Sequence, residues 1–159
     1  MKFISKIHSY LVLILAIVLI SCANGSEKDV LIVNAADYGF DENDSTIALQ
    51  AAIDSGAKKV IVPNMGKDWI ISRTITLVSN QTICFEPGVV ISAKKGAFKG
   101  TKESLFQATN KSNIVLFGYN ATLKMQKQDY MGSEYTKGEW RHILALRSCT
   151  NIKVLGLTL

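Results

Sequence analysis

Histidine and cysteine are scarce in this 159-residue chain, which has two of the first and three of the second. No two cysteines stand in a C-x-x-C spacing and the histidines are His8 and His142, so a Cys/His zinc site is not expected. Cys84 and Cys149 lie in apolar, strand-like runs, where a thiol packs as a small hydrophobe. Two such residues with no framework around them predict no disulfide. Strong charge of one sign is also lacking. The 18 basic side chains against 13 acidic ones are scattered, apart from a loose cluster from Lys94 to Lys102, which reads as a solvated surface and gives no case for nucleic acid as a partner. No apolar run is long enough to span a bilayer: Leu11 to Ile20 is about half the length a transmembrane helix needs.

That short run follows Lys2, Lys6 and His8, the layout of an export signal. It ends in Leu19-Ile20-Ser21-Cys22, which resembles the lipobox of bacterial lipoproteins. The resemblance implies cleavage after Ser21 and lipidation of Cys22, and a diacylated cysteine anchors a protein stably to a membrane. The expected division is a signal peptide at 1–21, a small polar tether at 22–29 and a folded domain at 30–159, exported and held at the outer membrane or cell surface. The mature 138 residues carry 16 basic against 13 acidic side chains, a net charge of +3 that is compatible with an acidic polysaccharide.

After a short apolar strand, Val30 to Val33, comes the stretch DYGFDENDSTIALQAAIDSG, from Asp37 to Gly56. Asp44 or Ser45 can accept hydrogen bonds from the free N–H groups of the next turn, and the acidic loop sits at the positive end of the helix dipole. The predicted helix, about Thr46 to Ser55, puts Leu49, Ala52 and Ile53 on one face, and Gly56 can take the left-handed conformation that ends it. A calcium loop through Asp41, Asn43 and Ser45 is ruled against by Thr46 where a loop glycine belongs and by Ala52 where the bidentate glutamate belongs.

From Lys58 onward the pattern changes to short β-rich runs: KVIVP, WIISRTITL, QTICF, VVISA, SLFQA, NIVLF, ATLKM, HILAL and NIKVLGLTL. Some repeat. SNQTICFEPGVVI (Ser79 to Ile91) is similar to SNIVLFGYNATL (Ser112 to Leu123) with Phe85 and Phe117 aligned 32 apart, and Asn113-Ile114 returns as Asn151-Ile152 after 38 residues. Coil-length repeats of short strands and turns suit a chain that stacks each turn on the last. A β-sandwich is the alternative, but runs such as Val60 to Val62 and Ile114 to Phe117 are solidly apolar, as in parallel sheets, rather than alternating. The amphipathic helix would then close the exposed edge of the first turn.

On these residues the segment Asp37 to Ile91 resembles the N-terminal region of the pectin lyase-like, pectate lyase superfamily β-helix proteins, and the first turn also resembles polygalacturonase-type glycoside hydrolases. Asp37, Gly39, Asp44, Thr46, Gln50, Ala51, Ala52, Ile53, Asp54, Val62 and Pro63 match as they stand. The usual Gly-Asp-Gly of the loop is Phe40-Asp41-Glu42 here, and a Gly-rich turn after Pro63 is replaced by Asn64 to Asp68. The resemblance implies an all-β fold, a right-handed single-stranded parallel β-helix with a short N-terminal capping α-helix. It also implies action on a polysaccharide by lysis or hydrolysis, or non-catalytic binding as in adhesins and tailspikes, with catalytic residues on later turns. NIKVLGLTL stops in mid-strand, so an N-terminal fragment that is inactive alone is expected.

The chemistry that can be sought here lies in the loop Gln126 to His142, where Asp129, Glu134, Glu139, Arg141 and His142 stand beside Tyr130, Tyr135 and Trp140. A long polar loop on a rigid scaffold is a common seat of function. Aromatic faces stack on sugar C–H surfaces and arginine pairs with uronate carboxylates, so Tyr130, Tyr135, Trp140 and Arg141 are the expected substrate-binding residues. The bland alternative tucks Trp140 and His142 into the next turn with the charges in water. A glycosidase needs two carboxylates at a fixed separation, and nothing fixes the spacing of Asp129, Glu134 and Glu139. No cofactor is evident. Calcium enters only if the protein is a lyase, and no carboxylate cluster on successive strands points to it.

Overall fold

The computed structural model describes residues 31–138 and 140–159. The expected signal peptide, tether and lipidation site at Cys22 lie outside the described residues. Strand β1 (Ile32–Asn34) leads through a 3-10 helix (Ala35–Tyr38) to helix α1 (Thr46–Asp54). Nine strands follow: β2 (Lys59–Val62), β3 (Trp69–Ile71), β4 (Ile75–Thr76), β5 (Gln81–Phe85), β6 (Val90–Ala93), β7 (Ser104–Thr109), β8 (Ser112–Lys124), β9 (His142–Arg147) and β10 (Thr150–Thr158). The β-rich runs are all strands. Ser72 to Thr74 split WIISRTITL into β3 and β4, and NIVLF and ATLKM fuse into β8. Among the described residues no helix is long and apolar enough to cross a membrane.

All the pairings are parallel, and they correct the expected all-β, single-stranded β-helix. The strands gather into a seven-stranded parallel sheet, ordered β1-β2-β5-β8-β6-β3 with β10 also on β8, and a separate three-stranded sheet, β4-β7-β9. The chain opens with strand–helix–strand alternation, so the arrangement is α/β-like. The physical reason lies in β8. Its Ile114–Phe117 segment pairs with β5 and its Thr122–Lys124 segment pairs with β6, so one bent thirteen-residue strand joins what the repeats suggested were separate faces.

The repeats do mark which strands stack, with one slip. Ile152 pairs with Ile114 at the expected offset of 38, but Phe117 pairs with Cys84, an offset of 33, rather than with Phe85. A shift of one residue turns a side chain to the other side of a sheet. Phe85 accordingly lies in the core, whereas Phe117 faces outward, 37% exposed. Gly118 takes the place above Phe85, where an added Cβ would meet the Phe85 Cβ at 2.9 Å.

The core is a set of inward columns built across the pairings: Val60, Ile83 and Leu116; Trp69, Ile91 and Leu123; Ile75 and Phe106. Burial alternates even within the solidly apolar runs, so Ile61, Cys84, Phe117 and Leu155 form an outward column. Cys84 and Cys149 are both free thiols. The starts of β5, β8 and β10 are tied by an asparagine ladder in which Asn151 Nδ2 donates to Asn113 Oδ1 (2.7 Å) and Asn113 Nδ2 to Asn80 Oδ1 (2.8 Å). All three have positive φ, a conformation asparagine tolerates better than most residues.

Helix α1 closes strand edges. Gln50 donates to the carbonyl of Thr76 (3.0 Å) and accepts from its N–H (2.8 Å), satisfying both free groups of β4. The Ser45 N–H donates to the Ile70 carbonyl (2.7 Å), and the Ser72 N–H donates to Thr46 Oγ1 (2.7 Å), which covers β3. Unpaired strand edges are templates for association, and the side chains of one nine-residue helix and its N-terminal flank remove two of them. Gly56 ends the segment at φ +81°. The departures from the resembled loop have packing roles: Phe40 meets Trp69 edge-on with ring centroids 4.8 Å apart, and Asn64 donates to the Pro87 carbonyl while its own Oδ1 accepts from Gly66.

Candidate functional site

The loop after β8 folds back on the outer surface. Gln126 donates to Ser92 Oγ (3.2 Å) and the Ala93 carbonyl (2.8 Å), and a short 3-10 helix, Asp129–Met131, follows. The ring centroids of Tyr130 and Tyr135 stand 5.2 Å apart, edge to face. The Arg141 guanidinium lies over both rings, 4.8 Å from the Tyr130 centroid and 5.6 Å from that of Tyr135. Burial pushes the Tyr130 hydroxyl above its ordinary pKa, the neighbouring hydrogen bond from Gln126 and the arginine offsetting it only in part.

Beside this loop opens a cleft of about 930 Å³. Lys124, Lys127, Arg141 and His142 line it together with Tyr130 and Met131, and Leu123, Met125, Ile143 and Leu144 give it an apolar lining. Among the described residues no Asp or Glu side chain lines it. Among the described residues three lysine–carboxylate pairs stand on the surface: Lys67 with Glu42 (3.5 Å), Lys94 with Asp44 (3.5 Å) and, at the cleft, Lys124 with Asp68 (3.1 Å). Each is exposed enough to be worth only about 0–1 kcal/mol, so they shape the charge pattern more than they stabilise the fold.

Asp44 is the most embedded of these carboxylates. Partial burial pushes its pKa up, but the hydroxyls of Thr46 and Ser72, the Thr46 N–H and the Lys94 ammonium outweigh this and hold it below the ordinary carboxylate value. Asp44 Oδ1 accepts from Thr46 N (3.1 Å) and Thr46 Oγ1 (2.6 Å), so the aspartate caps the helix, whereas Ser45 bonds back to Asp41. A carboxylate with a depressed folded-state pKa contributes stability that is present above its unfolded value, near 4, and lost as pH falls through the folded one. Asp44→Ala should therefore cost about 1 kcal/mol at pH 7 and lose less further stability than wild type between pH 5 and 2. Urea midpoints across that range check this, and parallel pH profiles would remove the assigned role.

The expected binding residues separate in the structure. Tyr130 lines the cleft, and Trp140, next in sequence to the lining residue Arg141, is 57% exposed. Tyr135 is only 5% exposed and its hydroxyl accepts from the Gly96 N–H (2.9 Å), so its ring faces are covered by protein. Arg141 spends four of its five N–H groups on backbone carbonyls, those of Phe98 (2.7 Å), Gly138 (3.3 Å), Lys99 (3.0 Å) and Thr136 (2.8 Å). Glu139 lies outside the described residues. Reading the sequence missed Lys124 and Lys127 as lining residues, although Lys124 stands in an outward column with Ser92 and Ile70 that strand register alone exposes. Among the described residues no three His, Cys, Asp or Glu side chains are grouped to hold a metal ion.

Fold and site together describe a parallel-sheet domain with a helix-closed end and a cation-lined cleft under an aromatic loop. No family model matches the chain. No curated protein matches it. It is similar in fold to the crystal structure of a candidate glycosyl hydrolase from Parabacteroides merdae, with a TM-score of 0.64 and 19% identity over 79% of this chain. The match spans 63% of the length of that protein.

Proposed function

We propose that this chain belongs to a carbohydrate-active protein of the cell envelope that acts on an acidic, pectin-like polysaccharide as a lyase or a glycoside hydrolase, and that the cleft beside Tyr130 takes the glycan. One observation carries the reading: among the described residues the cleft is lined by Lys124, Lys127, Arg141 and His142 with an aromatic ring and no Asp or Glu side chain, a pattern suited to uronate groups. The similar fold of a candidate glycosyl hydrolase supports it. The lipobox-like Cys22 supports membrane attachment at the outer membrane or cell surface, which replacement by serine should abolish, moving the protein to the soluble fraction.

A second reading, non-catalytic binding as in an adhesin, has its own observation. Hydrolysis needs two carboxyl groups held at a fixed separation across the scissile bond, and among the described residues no Asp or Glu side chain lines the cleft. Titration with acidic and neutral oligosaccharides, alongside assays for new reducing ends and for unsaturated products, separates the readings. Cleavage establishes the enzyme, binding without products supports the binder and removes cleavage by this chain alone, and binding to neither sugar class removes both.

A further inference from the structure

We infer that Arg141 is a positioning residue: by holding the carbonyls of Phe98, Lys99, Thr136 and Gly138 it locks the loop after β6 to the loop after β8 and so presents Trp140 and Lys127 to an acidic oligosaccharide. The inference rests on the proposed carbohydrate reading. Its first ground is the donor count. A guanidinium has five N–H groups in a rigid plane, and here Nε, Nη1 and Nη2 give four of them to carbonyls from two segments about forty residues apart in sequence. A single remaining N–H cannot form the two-point grip that makes arginine a strong carboxylate ligand.

The second ground is that the joint is built from both sides. The Thr136 N–H donates to the Lys99 carbonyl (3.3 Å), and Tyr135, packed under the guanidinium, accepts from Gly96. Phe98, a bulky residue at φ +54°, holds a conformation that persists only where its surroundings enforce it, and its carbonyl takes the shortest of the four bonds. Gly138 packs so closely that an added Cβ would come within 2.9 Å of Thr101. Trp140 lies between Gly138 and Arg141, two cleft-lining residues, with more than half its surface free. The direct anion contact then falls to lysine. Lys127 is exposed at the cleft, and Lys124 already faces Asp68.

Arg141→Lys tests this, because lysine keeps the charge and loses the planar fork. Amide exchange is followed at 96–101 and 134–138, with the strands as reference, and affinities for oligogalacturonate and for a neutral cello-oligosaccharide are measured at two salt concentrations. In Arg141→Lys we expect faster exchange in both loops with the strands unchanged, and affinity for both sugars falling by roughly tenfold or more with the salt dependence for oligogalacturonate kept. Lys127→Ala should weaken only oligogalacturonate, flatten its salt dependence and leave exchange untouched. Unchanged loop exchange in Arg141→Lys overturns the clamp. Protected loops with a selective, salt-dependent loss of oligogalacturonate in Arg141→Ala would make Arg141 itself the anion contact. If the wild type binds neither sugar, the carbohydrate reading falls with the presenting role, and the exchange comparison still decides the clamp.

Discussion

Replacing Trp69 with alanine is expected to lower stability by about 3–5 kcal/mol, a large share of what a domain of this size has to lose. The indole is fully buried at the head of the inward column that continues through Ile91 and Leu123. Its Nε1 donates to the Pro63 carbonyl (3.0 Å), and Phe40 packs on it edge to face. Alanine would leave a cavity, strip Phe40 of its partner and orphan a carbonyl. Trp69→Phe keeps most of the volume and should cost clearly less. Urea unfolding followed by circular dichroism measures both, and a loss under about 1 kcal/mol in the alanine variant would mean that the column repacks freely.

Gln81→Leu should cost about 2–4 kcal/mol despite replacing a buried polar side chain with an apolar one. Gln81 occupies an inward position beneath Ile114 in the stacked sheet, where a hydrophobic residue would be the ordinary choice. Below it lies the C-terminal end of α1 instead of another strand, and Gln81 Nε2 donates to the carbonyls of Ile53 (2.9 Å) and Ala57 (2.8 Å). Leucine would leave both acceptors buried and unpaired. The amide itself is imperfectly placed, since Gln81 Oε1 is buried without a protein partner, which keeps the expected loss moderate.

Gln81→Glu gives a signed pH test at the same position. A buried carboxylate facing two carbonyl oxygens favours its protonated form, so its folded-state pKa is raised above the ordinary glutamate value near 4.3. A raised folded-state value means that the side chain's contribution is fully present below about pH 4.3 and is lost as pH rises through the folded value. Relative to wild type, Gln81→Glu should be least impaired in acid and most impaired at pH 7. A difference that does not change with pH would show that the side chain has moved out to water.

Much of the local structure was legible from the residues because its causes are local. The short apolar runs between turn residues became strands. Gly56 ends its segment with positive φ, and Asn80 and Asn110 take positive φ between strands, since glycine and asparagine bear that conformation at little steric cost. The helix between Thr46 and Asp54 and its apolar face followed from spacing, and its partners did not. That Gln50 would match the two free groups of Thr76, twenty-six residues ahead, depends on where β4 is placed by the rest of the fold.

By itself, then, the sequence determined which segments extend, where they turn, that they stack in parallel and that the 126–142 loop would stand on a scaffold. Only the tertiary structure decided that β8 joins the strands into one seven-stranded sheet beside a three-stranded one, that Phe117 faces out above Cys84, that Tyr135 is buried and that Arg141 binds carbonyls. The physical reason is range. Backbone preference and apolar spacing act within a few residues, whereas register, sheet membership and the partners of a guanidinium are set by contacts between segments tens of residues apart, where a shift of one position reverses which face a side chain occupies.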